Sequence, residues 1–145
     1  MAEERMGDVD AREVLEKVVQ YRKFLHERLV PDLNDAVEQR SKLEEEIEDW
    51  KGLEASISTP TGEETALVDL GAGVFAEGRV HDPRTMYVSI GLGFFVQCSA
   101  EEGLGMARER VQILQERKLK AEDSITSIQG SISLVTQGIE ELKRL

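Results

Sequence analysis

The chain has 145 residues, a net charge of −11, and 32% charged but only 5% aromatic residues. This length suits one domain (residues 1–145), and the negative charge excludes nucleic-acid binding by phosphate neutralisation. No apolar run approaches the roughly 20 residues of a membrane span, and the single Cys98 fits a reducing compartment, so we expect no membrane contact and a cytoplasmic and nuclear location.

A first long helix is predicted from residue 10 to residue 57. Its second half follows one heptad register through Leu33, Ala36, Arg40, Leu43, Ile47, Trp50 and Ile57. Its first half has an apolar stripe wider than one coiled-coil seam requires. Pro31 lies between the halves; because proline removes a hydrogen bond and clashes with the preceding turn, we expect a kink or break just before it.

The segment 66–98 is predicted to form two β-hairpins, with strands at 66–70, 74–80, 85–90 and 94–98. The turns Gly71-Ala72-Gly73 and Gly91-Leu92-Gly93 suit tight hairpins better than a nucleotide site, because neither opens a helix. Two hairpins alone bury too little to be stable in water, so we expect them to oligomerise into a β-barrel. The predicted oligomerisation residues are Val68, Leu70, Val74, Val88, Ile90, Phe94 and Val96.

A second long helix is predicted over residues 99–145. Ser99 and Glu102 have the spacing of a capping box. Steps of three and four then alternate through Leu104, Ala107, Val111, Leu114, Lys118, Ala121, Ile125, Ile128, Ile132, Val135, Ile139 and Leu142. The predicted fold class is therefore α+β: a long antiparallel coiled-coil hairpin of two helices, each of about 47 residues, joined by the two β-hairpins.

Two basic residues interrupt the predicted seam. With Ile57 opposite Leu104, Arg40 and Lys118 fall in adjacent layers. One interpretation is that they extend past the seam to Glu44 or Glu122. The other is that polar seam positions fix the register of the two helices.

The end of the coiled coil furthest from the hairpins has more apolar residues than one two-helix seam can cover. We expect this surplus to bind clients or partners through many shallow contacts. The predicted tip residues are Val14, Leu15, Val18, Val19, Ile132, Leu134, Val135, Ile139, Leu142 and Leu145.

Candidate catalytic chemistry is sparse. His26 and His81 lie in different segments, and Cys98 has no histidine near it in sequence, so a buried structural role is expected for that thiol. We therefore expect no enzyme activity, no catalytic residue, no metal site and no cofactor.

Three sequence stretches resemble the α-type subunits of the prefoldin family and its prefoldin-like branch. They are Val68–Gly71 (VDLG), Asp82–Gly91 (DPRTMYVSIG) and Gly93–Val96 (GFFV). The resemblance implies a hetero-hexamer with other α- and β-type subunits, in which pooled hairpins form a double barrel and coiled-coil tips hold unfolded or assembling client proteins. It also implies assistance to the assembly of RNA polymerase and other complexes, a co-chaperone ATPase partner, and centrosomal association.

Two alternative functions stay open from the sequence. One is a cytosolic prefoldin subunit that delivers actin and tubulin to a chaperonin. The other is a coiled-coil transcription cofactor or scaffold that binds specific folded partners.

Overall fold

The computed structural model describes residues 8–59 and 64–145. Its elements are α1 (Asp8–Phe24), a π-helical turn (Leu25–Leu29), α2 (Val30–Ser58), β1 (Glu64–Gly71), β2 (Val74–Val80), β3 (Thr85–Gly91), β4 (Phe94–Ser99) and α3 (Ala100–Arg144). The predicted fold class is confirmed: two long helical segments flank antiparallel strands. The described strands of the single chain form two separate two-stranded sheets and not a closed barrel.

The chain forms two compact units. One comprises the described residues up to Glu44 together with Glu116–Leu145, and it is entirely helical. The other comprises Glu45–Gln115 and contains both hairpins with the helical segments that adjoin them.

Pro31 does not break the first helical segment. The helix instead widens just before it into the π turn, where the N–H of Val30 donates to the C=O of Leu25. A π turn accommodates an extra residue, and the seam spacing shows where that residue lies. Leu25, Leu29 and Leu33 are spaced by two steps of four, although heptad spacing alternates three and four. The turn absorbs the extra residue, so the apolar residues of both halves stay in one seam.

The heptad ladder of α3 lies on the covered side of the helix, and its members are buried or half-buried. None of its members is exposed, and Ala107 and Leu114 are completely buried. In the hairpin-containing unit, ion pairs join α3 to α2 in antiparallel order: Arg108 Nε lies 2.8 Å from Glu54 Oε1, and Arg110 Nη2 lies 2.9 Å from Glu46 Oε1. The predicted antiparallel pairing of the helices is confirmed by these contacts.

Each hairpin reverses through the same irregular turn. In the first, Leu70 is an extra residue between the pairs Asp69–Phe75 and Gly71–Val74, and Ala72 and Gly73 both have positive φ. The second repeats this arrangement, with Leu92 at φ 53°. Positive φ at both central residues matches the right-handed twist of the strands, which is why glycine occupies one of the two positions.

The junction between β4 and α3 is the predicted capping box. The N–H of Glu102 donates to Ser99 Oγ (3.2 Å), and the N–H of Ser99 donates to Glu102 Oε2 (3.1 Å). Gly103 follows, and a Cβ atom there would overlap the Met86 side chain of β3. Cys98 is buried, as expected. The second hairpin therefore packs closely on the start of α3.

The segment between the hairpins is held by Asp82. Its Oδ1 accepts from the N–H of Arg84 and its Oδ2 from the Thr85 hydroxyl, both at 3.0 Å. These hydrogen bonds hold the pKa of the Asp82 carboxyl below its usual 3.8. The connection is thus a structured turn stabilised by the ionised carboxylate.

Candidate interaction surfaces

The polar seam layer contains Arg40, Lys118, Glu44 and Glu122. Lys118 Nζ lies 3.2 Å from Glu44 Oε1 and 3.8 Å from Glu122 Oε1, which confirms that this lysine extends past the seam to both predicted carboxylates. Arg40 Nε lies 3.8 Å from the same Glu44 oxygen. That nitrogen is buried without a hydrogen bond. Arg40 is therefore less well satisfied than Lys118, and a register-fixing role for the layer stays a prediction.

The predicted oligomerisation residues lie on the hairpins with little cover from the rest of the chain. Val68, Leu70, Val74, Ile90, Phe94 and Val96 are all exposed. Val88 differs, because it is half-buried in a groove that α2 and α3 also line. The remaining six form an apolar surface that a single chain leaves in water.

The opposite faces of the hairpins are also apolar and exposed, which the sequence reasoning missed. The residues concerned are Leu67, Phe75, Tyr87 and Phe95. Adjacent strand residues point to opposite faces, so Phe94 and Phe95 lie on different sides of β4. The signal was available, since uninterrupted apolar runs, and not alternation, are typical of strands covered on both faces. We call these four residues and the six exposed residues of the previous paragraph, taken together, the hairpin surface.

A groove of about 410 Å³ borders the second hairpin. It is lined by Trp50, Leu53 and Ile57 of α2, by Gly103 and Met106 of α3, and by Met86, Tyr87, Val88 and Ser89 of β3. Leu53 and Met106 are exposed. This groove accounts for the partial burial of Val88 and extends the apolar surface from the hairpin onto the helices.

The predicted tip residues divide into two sets. Val18 and Ile139 are buried. Val14, Ile132, Val135 and Leu142 are half-buried, so these six form the seam of the helix pair. Leu15, Val19, Leu134 and Leu145 are exposed. Sequence periodicity showed the surplus of apolar residues, and the structure shows which four of them the seam leaves uncovered.

A second groove, of about 570 Å³, lies at this end of the helix pair. We call it the tip groove; it is lined by Ala11, Val14, Leu15, Val18, Arg22, Leu142, Lys143 and Leu145. Lys143 Nζ donates to Glu140 Oε1 at 2.9 Å. That hydrogen bond, with the positive charges of Lys143, Arg144 and Arg22, holds the pKa of Glu140 below its usual 4.5. The described lining of the groove thus combines apolar side chains with the cations Arg22 and Lys143.

Metal-binding and membrane-spanning features are absent from the described parts of the chain. Residues 8–59 and 64–145 contain no group of three or more His, Cys, Asp or Glu residues that could hold a metal ion. None of the described helices is both long enough and apolar enough to cross a membrane.

A comparison with known protein families gives a match to the prefoldin subunit family over residues 29–144. The chain belongs to the prefoldin family. The match covers all of α2, both hairpins and all of α3, so the resemblance carried by the three hairpin stretches is confirmed.

Individual members of the prefoldin family are similar to most of the chain. The protein UXT homolog of Dictyostelium discoideum is 30% identical over 138 residues, covering 92% of this chain and 86% of that protein. The prefoldin subunit alpha of Methanocorpusculum labreanum is 26% identical over 98 residues, covering 68% and 62%. Among solved structures, a chain of the filamentous PFD from Methanocaldococcus jannaschii aligns with a TM-score of 0.46 and 19% identity, covering 88% and 95%.

Proposed function

We propose that this chain is a non-catalytic subunit of a hetero-hexameric, prefoldin-like chaperone or co-chaperone complex. Its hairpins assemble with those of other α- and β-type prefoldin subunits. The tip of its helix pair holds unfolded or assembling client proteins and so assists protein complex assembly.

The hairpin surface supports the assembly half of this proposal. Both faces of both hairpins present large apolar side chains to water. Exposed apolar patches of this kind mark interaction sites, and unpaired strand edges add backbone groups that need partners. Neighbouring hairpins satisfy both needs at once, because they cover the faces and pair the edges.

The main observation in support of client binding is the set of exposed apolar residues at the tip. Leu15, Val19, Leu134 and Leu145 lie outside the seam that the neighbouring residues form. Burial of apolar area yields about 25 cal/mol per Å², so these side chains gain by contacting apolar segments of a non-native chain. Several tips acting together in one hexamer hold a client by avidity without any strong single site.

The relatives favour the prefoldin-like complex over cytosolic prefoldin. Similarity to the UXT homolog is higher and extends over more of the chain than similarity to the archaeal prefoldin subunit alpha. The proposal accordingly includes a role in building transcription-related assemblies, a co-chaperone ATPase partner, and cytoplasmic and nuclear residence. Affinity purification of the tagged chain from its native cells tests this choice. Co-elution of actin, tubulin and a chaperonin alone would favour cytosolic prefoldin.

The client-holding role is tested by removing the exposed set at the tip while keeping the seam. The full chain carrying Leu15→Asn, Val19→Asn, Leu134→Asn and Leu145→Asn is assembled with its partner subunits. We expect unchanged complex mass in multi-angle light scattering, because none of these residues lies on a hairpin. We also expect weaker suppression of aggregation when an unfolded enzyme is diluted from denaturant.

The matched control is Leu119→Asn, since Leu119 is 62% exposed on α3 away from the tip and Leu15 is 64% exposed within it. This control should protect the unfolded enzyme as well as the unmodified complex does. Equal protection by the fourfold variant would show that the tip is not the holding surface. A complex that binds folded partners but protects no unfolded enzyme would instead support the scaffold alternative.

A further inference from the structure

The tip groove combines apolar side chains with cationic ones. The chain as a whole has a net charge of −11, but segments 8–25 and 134–145, which form this end, contain equal numbers of acidic and basic residues. Among the described residues of the groove lining, two are cationic, Arg22 and Lys143, and none is acidic. The tip is therefore neutral by residue count, although the chain as a whole is strongly acidic.

The two cations at the groove are not equivalent. Lys143 already donates to Glu140, so much of its charge is compensated. Arg22 also acts on Glu140, as the lowered pKa of that carboxyl indicates, but it forms no ion pair with it within 4 Å. Glu140 is therefore shared among the charges of Lys143, Arg144 and Arg22. Arg22 lines the groove together with Val14, Leu15 and Leu142.

We propose that the tip groove selects apolar segments that carry a carboxylate next to their apolar side chains. The apolar side chains enter the groove against Leu15, Val18 and Leu142, and the carboxylate pairs with Arg22. This proposal rests on the client-holding function proposed above and names the class of segment that this chain prefers.

The shape and charge of the site explain why both features are needed. A groove of about 570 Å³ holds several apolar side chains, which gives affinity but little choice among apolar sequences. A guanidinium at the edge adds a geometric preference for carboxylates.

Three fluorescent peptides test the selection. They share one helical pattern of leucines and differ only at the flanking positions, which are all glutamate, all glutamine or all lysine. Anisotropy titrations use the full chain assembled with its partner subunits. We expect the glutamate peptide to bind tightest and the lysine peptide weakest, with roughly two- to fivefold between neighbours, as one exposed ion pair allows. The difference should shrink as salt is added, because exposed charges are screened.

Charge reversal at adjacent positions separates the groove from general electrostatics. Arg22→Glu should invert the peptide order, whereas Lys23→Glu makes the same charge change on an exposed residue outside the groove lining and should keep the original order. Leu15→Asn should weaken all three peptides alike. An equal effect of the two charge reversals would overturn the proposal.

The remaining outcomes distinguish this proposal from the function on which it rests. Equal affinity for the three peptides, with all of them weakened by Leu15→Asn, would overturn charge selection and leave client holding intact. Binding of no peptide, together with full protection of an unfolded enzyme by Leu15→Asn, would overturn both. The complex could instead gain mass by binding a second copy of the chain at the groove. If that gain required Leu15 and prevented peptide binding, the groove would be a self-association site, which also overturns the proposal.

Discussion

The two phenylalanines of β4 provide a direct test of how the hairpins assemble. Phe94 and Phe95 are adjacent, point to opposite faces, and are 64% and 66% exposed. A phenylalanine presents roughly 200 Å² of surface, so each leaves about 130 Å² in water. At about 25 cal/mol per Å², complete cover by a partner stabilises assembly by about 3 kcal/mol per ring.

We expect Phe94→Ala and Phe95→Ala to weaken assembly by similar amounts. Most of the ring contribution is lost in each variant, so the dissociation constant of the complex should rise by roughly a hundredfold, since about 1.4 kcal/mol corresponds to a factor of ten. Mass photometry or sedimentation over a dilution series measures the change. Circular dichroism checks that the helices are retained.

The comparison between the two variants decides which faces are covered. If Phe94→Ala weakens assembly and Phe95→Ala does not, only the face predicted from the sequence is buried, and the two-faced hairpin surface is wrong. If neither variant changes the dissociation constant, the second hairpin does not mediate assembly. Leu119→Ala serves as the control, because Leu119 is similarly exposed but lies on α3 away from the hairpins.

Three further predictions concern stability. Leu114→Ala removes a completely buried seam residue and should lower the free energy of unfolding in urea by about 3 kcal/mol. Ile113→Ala should cost less, because Ile113 lies outside the seam and is 38% exposed. Deleting His26 from the π turn restores the alternating three- and four-residue spacing of the seam, so the protein should tolerate it. Deleting Glu48 shifts the seam register within α2 and should sharply lower the midpoint of thermal unfolding. The Asp82 carboxyl has a lowered pKa in the folded protein. Its stabilising contribution is therefore complete above its unfolded pKa of 3.8 and is lost as the pH falls through the folded pKa. Asp82→Ala should reduce stability at about pH 5 but not at about pH 2.

Local sequence patterns were sufficient to predict the helices and strands themselves. The spacing of Ser99 and Glu102 predicts their reciprocal hydrogen bonds, because a capping box depends only on residues within one helical turn. The ladder through Leu114 predicts the buried side of α3 for the same reason. Glycine-containing turns placed all four strands to within two residues.

Features that depend on a partner surface were harder to predict. Whether Leu15 or Val14 lies in the seam depends on where α3 lies beside α1, and both residues look alike in an apolar stripe. The opposite faces of the hairpins were missed because the sequence analysis selected Phe94 and Val96, which lie on one face of β4, and left out Phe95 on the other. The π turn could be predicted only by comparing the spacing of seam residues on both sides of Pro31. The helix propensity of proline alone does not show that an extra residue is present.

The π turn also affects how this chain should be compared with its relatives. The match to the family begins at residue 29, the last residue of that turn, so the α1 residues of the tip lie upstream of it. Successive residues of an α-helix are rotated by about 100°. For a relative whose first helix lacks the extra residue, an alignment without a one-residue gap here therefore turns every α1 side chain of the tip by that angle. Val14 and Leu15 would then exchange the roles of seam and surface residue. Homologous tips should be aligned from their own seams, with the gap placed between Leu25 and Leu29.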